Sequence, residues 1–99
     1  MENSNVNHPS HYQVSGRKEC IVEIQESYGL EVLITFCLTN AYKYLYRAGN
    51  KENNSYEQDI QKAQWYFDYI KNYVIVNDKL VELYKFVKTE LEKIENAKS

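Results

Sequence analysis

The stretch LEVLITFCLTNAYKYLYRAG, residues 30–49, is the most apolar segment of this 99-residue chain. Its mainly apolar side chains recur at spacings of three and four residues. They form one stripe along a helix: Leu33, Phe36, Cys37, Asn40, Ala41 and Tyr44. Three more apolar residues widen the stripe: Ile34, Leu38 and Leu45. A helix that is apolar around most of its girth is usually central to a fold. The segment therefore predicts a central helix that ends near Gly49.

The segment before the central helix also has helical spacing. Residues 18–28, KECIVEIQESY, place Cys20, Ile21 and Ile24 on one face. Gly29 follows directly, and glycine is the residue that most often ends a helix. A short helix over residues 18–28 is therefore expected, with an irregular arm before it.

A third helix is predicted to begin after Ser55, because Gln58 three residues later completes a capping-box pattern. One face of this helix is apolar: Ile60, Ala63, Phe67, Ile70 and Val74. A second face is aromatic: Trp65, Tyr66, Tyr69 and Tyr73. The first face suits the core of the chain, and the second predicts contact with another copy or a partner.

The C-terminal part repeats apolar residues in a coiled-coil pattern: Leu80, Tyr84, Val87, Leu91 and Ile94. Whether it continues the third helix or begins anew near Asn77 or Asp78 stays open. The predicted fold class is all-α: a small bundle of three or four helices, which is expected to oligomerise through the Tyr-rich face and the C-terminal helix. The expected organisation is an irregular N-terminal arm at residues 1–17, a helical domain at 18–76 and an oligomerisation helix at 77–99.

Composition narrows the class of protein. Twelve Lys and Arg against fourteen Asp and Glu give a net charge of −2, which argues against a general nucleic-acid coat. No apolar run is long enough to span a bilayer, and no signal peptide is recognisable. Cys20 and Cys37 lie in apolar helical patterns and are expected to be buried free thiols. These features predict a cytoplasmic protein.

The N-terminal arm holds both histidines of the chain, His8 and His11, on either side of its only proline, Pro9. Three interpretations stay open. The histidines hydrogen-bond within a folded-back arm, contact a phosphate or base, or bind a metal. The metal interpretation is the weakest, because two ligands in an arm lack a recognised metal-site spacing.

The central helix carries a polar group on one face: Asn40, Lys43, Tyr44 and Arg47. Spacings of three and four bring these side chains together. Arginine can bind two phosphate oxygens, lysine adds a point charge, and asparagine can read a base edge. The alternative is a solvated stripe. An amide within an apolar stripe is costly without a partner, so the ligand-binding interpretation is favoured.

Two further groups have both structural and functional interpretations. Asp59 and Lys62 resemble an ordinary surface pair, and the neighbouring Trp65 either stacks on a base or, more commonly, packs. Three carboxylates of the first helix either hold Mg²⁺ or form a solvated face, of which the solvated face is the more common: Glu19, Glu23 and Glu26. No P-loop or Gly-rich dinucleotide turn is present in the sequence.

Four blocks occur in order: N-H-P-x-H-Y from Asn7, E-C-I from Glu19, N-A-x-K-Y-L-x-R-A-G-x-K from Asn40, and D-x-x-K-A-x-W-Y from Asp59. This order resembles a family of small phage-encoded proteins of unknown function that includes a podophage nucleotide kinase acting on deoxynucleoside monophosphates. The match covers about two-thirds of the chain. This chain departs from the family at Tyr46, where Trp is frequent, and in its Asn-rich loop after Gly49.

The resemblance implies a nucleotide-handling domain in a phage protein of the host cytoplasm. The arm is expected to fold over the Lys43 and Arg47 face. The candidate ligand- or phosphate-binding residues are His8, His11, Tyr12, Asn40, Lys43, Tyr44, Arg47, Lys51, Lys62 and Trp65. No catalytic residue and no metal ligand is assigned.

Three functions remain open. The first is sequestration of a nucleotide or of a nucleotide-derived host immune signal, cyclic or ADP-ribose-type. The second is a phosphotransferase like the family's kinase, which would use Mg²⁺. The third is a helical adaptor that binds a host protein.

Overall fold

The computed structural model describes residues 19–50 and 55–98. The predicted arm and the candidate residues His8, His11, Tyr12 and Lys51 lie outside this part. Within it the chain forms helices and no strand: α1 (Cys20–Tyr28), α2 (Leu30–Arg47), α3 (Tyr56–Ile70) and α4 (Asp78–Ala97). The all-α prediction is confirmed. None of these helices is long and apolar enough to cross a membrane.

Helix α2 is the central element, as its sequence predicts, because α1, α3 and α4 all pack against it. Four of its side chains are completely buried: Leu33, Cys37, Leu38 and Ala41. Phe36 and Leu45 are partly buried against this core. The apolar girth of α2 is therefore covered on three sides by the rest of the same chain.

A single residue, Gly29, connects α1 to α2. Its φ of 95° lies in the left-handed region that favours glycine, and its N–H donates to Gln25 O at 3.0 Å. The predicted helix stop is confirmed. The burial predicted for Cys20 is wrong: it is the first residue of α1 and is exposed, whereas Ile21 beside it is buried.

Helix α3 begins at the predicted cap, since Ser55 Oγ accepts a hydrogen bond from Gln58 N at 3.0 Å. Its apolar face is buried at Ile60, Ala63, Phe67 and Ile70. Val74 was predicted on the same face, but α3 ends at Ile70, and Val74 is 78% exposed.

The aromatic face of α3 is not one exposed surface. Tyr66 is only 2% exposed and belongs to the core of the chain itself. Trp65 and Tyr69 pack partly against that core, and only Tyr73 of the four is exposed. Most of the face that was expected to meet a partner therefore packs within the chain.

Helix α4 is separate from α3, which answers the question that the sequence left open. Asn77 caps it, since its side-chain oxygen accepts from Lys79 N at 2.9 Å and from Leu80 N at 3.1 Å. Three residues of the predicted coiled-coil seam are buried in the chain's own core: Leu80, Val87 and Leu91. Oligomerisation through this helix remains a prediction.

Replacing the cap residue tests how much α4 depends on it. Asn77→Ala removes both side-chain hydrogen bonds and is expected to lower the free energy of unfolding by about 1 kcal/mol. Asn77→Asp keeps an acceptor oxygen, so its free energy of unfolding should stay within a few tenths of a kcal/mol of that of the unmodified chain. Urea unfolding followed by circular dichroism measures the difference. Equal stability of the two variants would contradict the role assigned to this cap.

Candidate functional site

The candidate site lies between α2 and α3, which run antiparallel and meet at three levels. At the first, Arg47 Nε lies 3.4 Å from Asp59 Oδ1. At the second, Lys62 Nζ lies 5.5 Å from the centroid of the Tyr44 ring. At the third, the Tyr66 ring packs edge-on against Phe36, with centroids 5.9 Å apart. Residues far apart in sequence are thereby aligned along the contact between the two helices.

Three cations converge on one buried ring. The Tyr44 side chain is 7% exposed, and its centroid lies 4.8 Å from Arg47 Cζ and 4.9 Å from Lys43 Nζ. Lys62 reaches the same ring from α3. Each distance is within the range of a cation–π interaction. We call Lys43, Arg47 and Lys62, together with the Tyr44 ring, the cation cluster.

Asp59 is the carboxylate beside the cluster. Its side chain is completely buried, so it is not the surface residue that its sequence context predicts, and its ion pair is with Arg47. A buried carboxylate needs a cation and hydrogen bonds to offset its desolvation. Arg47 therefore has a structural role in addition to any role in binding.

The charges of the cluster are only partly balanced. Lys43 and Lys62 form no ion pair with any carboxylate of the described residues. Like charges this close repel one another, although the electron-rich face of the ring attracts each of them. Because the whole chain is slightly acidic, the cluster is a local concentration of positive charge that an anion would stabilise.

A group of aromatic rings connects the cluster to the neighbouring part of α3. Tyr66 lies nearly parallel to Tyr44, with an interplanar angle of 14° and centroids 6.0 Å apart. Tyr66 also contacts Trp65 edge-on, with ring centroids 5.1 Å apart. The Tyr66 ring thus joins the cation cluster to the next part of the site.

Beyond Tyr66 is a partly enclosed, mainly apolar cavity of about 180 Å³. We call it the aromatic cavity; it is lined by Glu19, Cys20, Ile21, Phe36, Asn40, Trp65 and Tyr66. Asn40 is partly buried there, and its amide nitrogen donates to Phe36 O at 2.8 Å. That hydrogen bond removes part of the cost of placing an amide in an apolar stripe.

The structure brings six of the predicted ligand-binding residues into the cation cluster or the aromatic cavity. Four belong to the cation cluster: Lys43, Tyr44, Arg47 and Lys62. Asn40 and Trp65 line the aromatic cavity. His8, His11, Tyr12 and Lys51 lie outside the described residues. In residues 19–50 and 55–98, no group of three His, Cys, Asp or Glu could hold a metal ion, so Glu19, Glu23 and Glu26 do not form one.

Sequence reasoning missed several features of the site. The burial of Asp59 could have been found, since it shares a stripe at spacings of four, three and four with Ala63, Tyr66 and Ile70. The contribution of α1 could not have been found, because nothing in the sequence fixes that Cys20 and Ile21 line the same cavity as Trp65 and Tyr66.

The two cysteines differ in reactivity. Burial raises the pKa of the Cys37 thiol from 9.0 to about 12, whereas Cys20 is exposed at the edge of the aromatic cavity. A thiolate is the reactive form of cysteine, so Cys37 is inert in the folded chain. Because the unfolded thiol loses its proton first, the contribution of Cys37 to the free energy of unfolding falls as pH rises from about 9 towards 12.

The fold and the site together define a small all-α protein with a cluster of cations at the contact between two antiparallel helices. The chain belongs to the DUF3310 family, whose members are described as proteins of unknown function, and it matches that family over residues 6–68. Every residue of the cation cluster, and Asp59, lies within this range. Helix α4 lies beyond it.

Two phage proteins are similar to the chain. The Gene 1.7 protein of Enterobacteria phage T3 is 39% identical over 64 residues, which are 64% of this chain and 39% of that protein. The protein named Nucleotide kinase gp1.7 of Escherichia phage T7 is 39% identical over 62 residues, which are 62% of this chain and 32% of that protein. The match thus spans about a third to two-fifths of the length of these relatives. No solved structure matches the chain.

The ion pair with Asp59 predicts unequal effects for two substitutions in the cluster. Arg47→Ala leaves a fully buried carboxylate with one cation fewer and should lower the free energy of unfolding by about 2 kcal/mol. Lys43→Ala alters an exposed side chain and should change the free energy of unfolding by less than about 0.5 kcal/mol. Urea denaturation compares the two, and equal losses would contradict the structural role of Arg47.

The two thiols are expected to react separately. Iodoacetamide at pH 8 should alkylate Cys20 in the folded chain and leave Cys37 unmodified, because Cys37 is buried and protonated. Both should react in guanidinium chloride. Peptide mass spectrometry identifies the modified residue, and fast labelling of Cys37 in the folded chain would show that α2 is less well covered than described.

Proposed function

We propose that this protein binds a nucleotide-type ligand and that the cation cluster holds its phosphate groups. The observation that carries the proposal is the convergence of Lys43, Arg47 and Lys62 on the buried Tyr44 ring. A phosphate would add negative charge beside Lys43 and Lys62, which form no ion pair with a carboxylate of the described residues.

The chemistry of the three cations suits phosphate. The guanidinium of Arg47 is planar and always charged, and lysine ammonium groups act as mobile point charges with three donors each. Hydrogen bonds from such groups to phosphate oxygens are short and strong. Because the ammonium groups of Lys43 and Lys62 come from two helices, they can contact one anion from two sides.

The comparisons support a nucleotide as the source of the phosphate. One relative is named a nucleotide kinase, and the cluster lies within the region that defines the family. The shared region is about a third of that relative. The match therefore does not assign the full activity of that relative to this chain. Nucleotide binding by the shared helices is the simplest property that the two proteins could have in common.

We propose further that the bound ligand is held unchanged. Sequestration of a nucleotide, or of a cyclic or ADP-ribose-type host immune signal, requires binding groups alone, and the cluster supplies cations and an aromatic ring. The carboxylate nearest to the cluster, Asp59, is fully buried and paired with Arg47, which suits a structural counter-ion better than a general base.

A phosphotransferase is the second candidate, and the name of the phage T7 relative is the observation that favours it. This reaction would need Mg²⁺ between the phosphates and room for two nucleotides. The helical adaptor has less support, because Tyr66 of its expected binding face is buried.

Removing the two lysines tests the binding site without removing the partner of Asp59. Lys43→Ala with Lys62→Ala should weaken nucleotide binding by about a hundredfold, since each lysine is expected to donate a charged hydrogen bond. The matched control is Lys79→Ala with Lys85→Ala, which removes the same charge from exposed positions of α4. Binding is measured by thermal shift over a panel of mono- and triphosphates, cyclic mono- and dinucleotides and ADP-ribose derivatives.

The same panel separates the candidate functions. A ligand at a hundredfold excess over Kd should stabilise the chain by roughly 2.7 kcal/mol, or several degrees. Recovery of that ligand unchanged after incubation with Mg²⁺ and ATP supports sequestration, and its phosphorylation supports the kinase. Binding that survives in the double variant, or no shift with any nucleotide, would overturn the proposed site.

A further inference from the structure

We infer that the aromatic cavity is a base-binding subsite, which receives the nucleobase of the ligand whose phosphate lies at the cation cluster. This inference rests on the proposed function and adds a specific location for the base. It makes α1 part of the binding site, together with Phe36 of α2.

The cavity and the cluster are neighbours along the contact between α2 and α3, because Tyr66 lines the cavity and stacks on Tyr44. Asn40, at the cavity, and Arg47, in the cluster, are seven residues apart on α2, which is about 10 Å along the helix axis. On α3, Trp65 follows Lys62 by three residues, and Tyr66 contacts both the cluster and the cavity. A phosphate and a base joined by one sugar can therefore occupy the two places together.

The size and lining of the cavity suit a planar ring. Its volume of about 180 Å³ is smaller than the roughly 300–1,000 Å³ of a pocket for a whole drug-sized ligand. Phe36, Trp65 and Tyr66 provide aromatic walls, and stacking on such side chains is a general way of binding bases.

Asn40 provides the polar edge that a base requires. Its hydrogen bond to Phe36 O fixes the amide and uses one of the two N–H donors. The amide oxygen and the second N–H are then a donor–acceptor pair, which is the pattern that asparagine uses to read a base edge.

The other large cavities of the described residues lie elsewhere. A groove of about 410 Å³ follows Phe67, Tyr84 and Leu91 between α3 and α4, and another of about 500 Å³ lies near Tyr73 and Lys85. Neither is lined by Tyr66, the residue of the aromatic cavity that stacks on Tyr44 of the cation cluster. Of these three cavities, the aromatic cavity is the one with a lining residue, Tyr66, in ring contact with the cluster.

The first test compares ligands with and without a base. Isothermal titration calorimetry on the full chain measures the dissociation constants of the ribo- and deoxyribonucleoside 5′-monophosphates and of ribose 5-phosphate. We expect the best nucleotide to bind at least about tenfold more tightly than the sugar phosphate, because stacking adds to the phosphate contacts.

The second test uses Cys20 as a reporter at the cavity, with Cys37 as the unreactive internal control. A saturating nucleotide should slow the alkylation of Cys20 by at least about tenfold, because few sites remain empty. Ribose 5-phosphate, which lacks the ring that would fill the cavity, should leave the rate unchanged.

The third test fills the cavity. Cys20→Trp should reduce nucleotide affinity to that of ribose 5-phosphate while leaving ribose 5-phosphate binding intact. The matched control is Ser27→Trp, which places the same side chain at an exposed position of the same helix that does not line the cavity. It should bind both ligands normally.

The outcomes separate this inference from the proposed function. If ribose 5-phosphate binds as tightly as every nucleotide and Cys20 stays reactive, the base subsite is wrong and the phosphate site stands. If nucleotide affinity is unaffected by Cys20→Trp, the base lies elsewhere and the inference is again wrong. If neither class of ligand binds, the proposed function fails and the base subsite with it.

Discussion

The stacking of Tyr44 on Tyr66 is the contact on which the arrangement of the site depends. The two rings come from different helices and lie almost parallel in the core, so they fix the register between α2 and α3. With that register, Arg47 meets Asp59 at one end and Phe36 meets Tyr66 at the other. A shift of one helical turn would separate all of these pairs.

The same contact links stability to electrostatics. The Tyr44 ring lies within cation–π distance of three positive side chains while it fills space in the core, and the buried Asp59 pairs with Arg47. Arginine is thereby oriented before any ligand arrives, and a pre-oriented group loses less entropy on binding. The two lysines remain the adaptable part of the cluster.

Much of this could be predicted from the sequence, because helical periodicity and caps are local signals. The apolar girth of residues 30–49, the stop at Gly29 and the cap at Ser55 all follow from short-range patterns. The polar face of α2 was recognised for the same reason. The pairing of Arg47 with Asp59 and the contribution of Cys20 depend on how helices pack, which spacing within one helix does not specify. The sequence places Tyr66 on a face expected to contact another molecule, whereas the structure buries it against Tyr44 of the same chain.

Helix α4 has a consequence for how this protein can diverge. It lies beyond the family-matched residues 6–68 and meets the rest of the described chain through side chains such as Phe86 on Tyr42 and Tyr84 on Phe67, none of them in the cation cluster or the aromatic cavity. We therefore expect exposed-to-core changes in this helix to act mainly on the free energy of unfolding, through its packing against α2 and α3. The stability of the chain can thus change through α4 while the residues of the cation cluster stay the same.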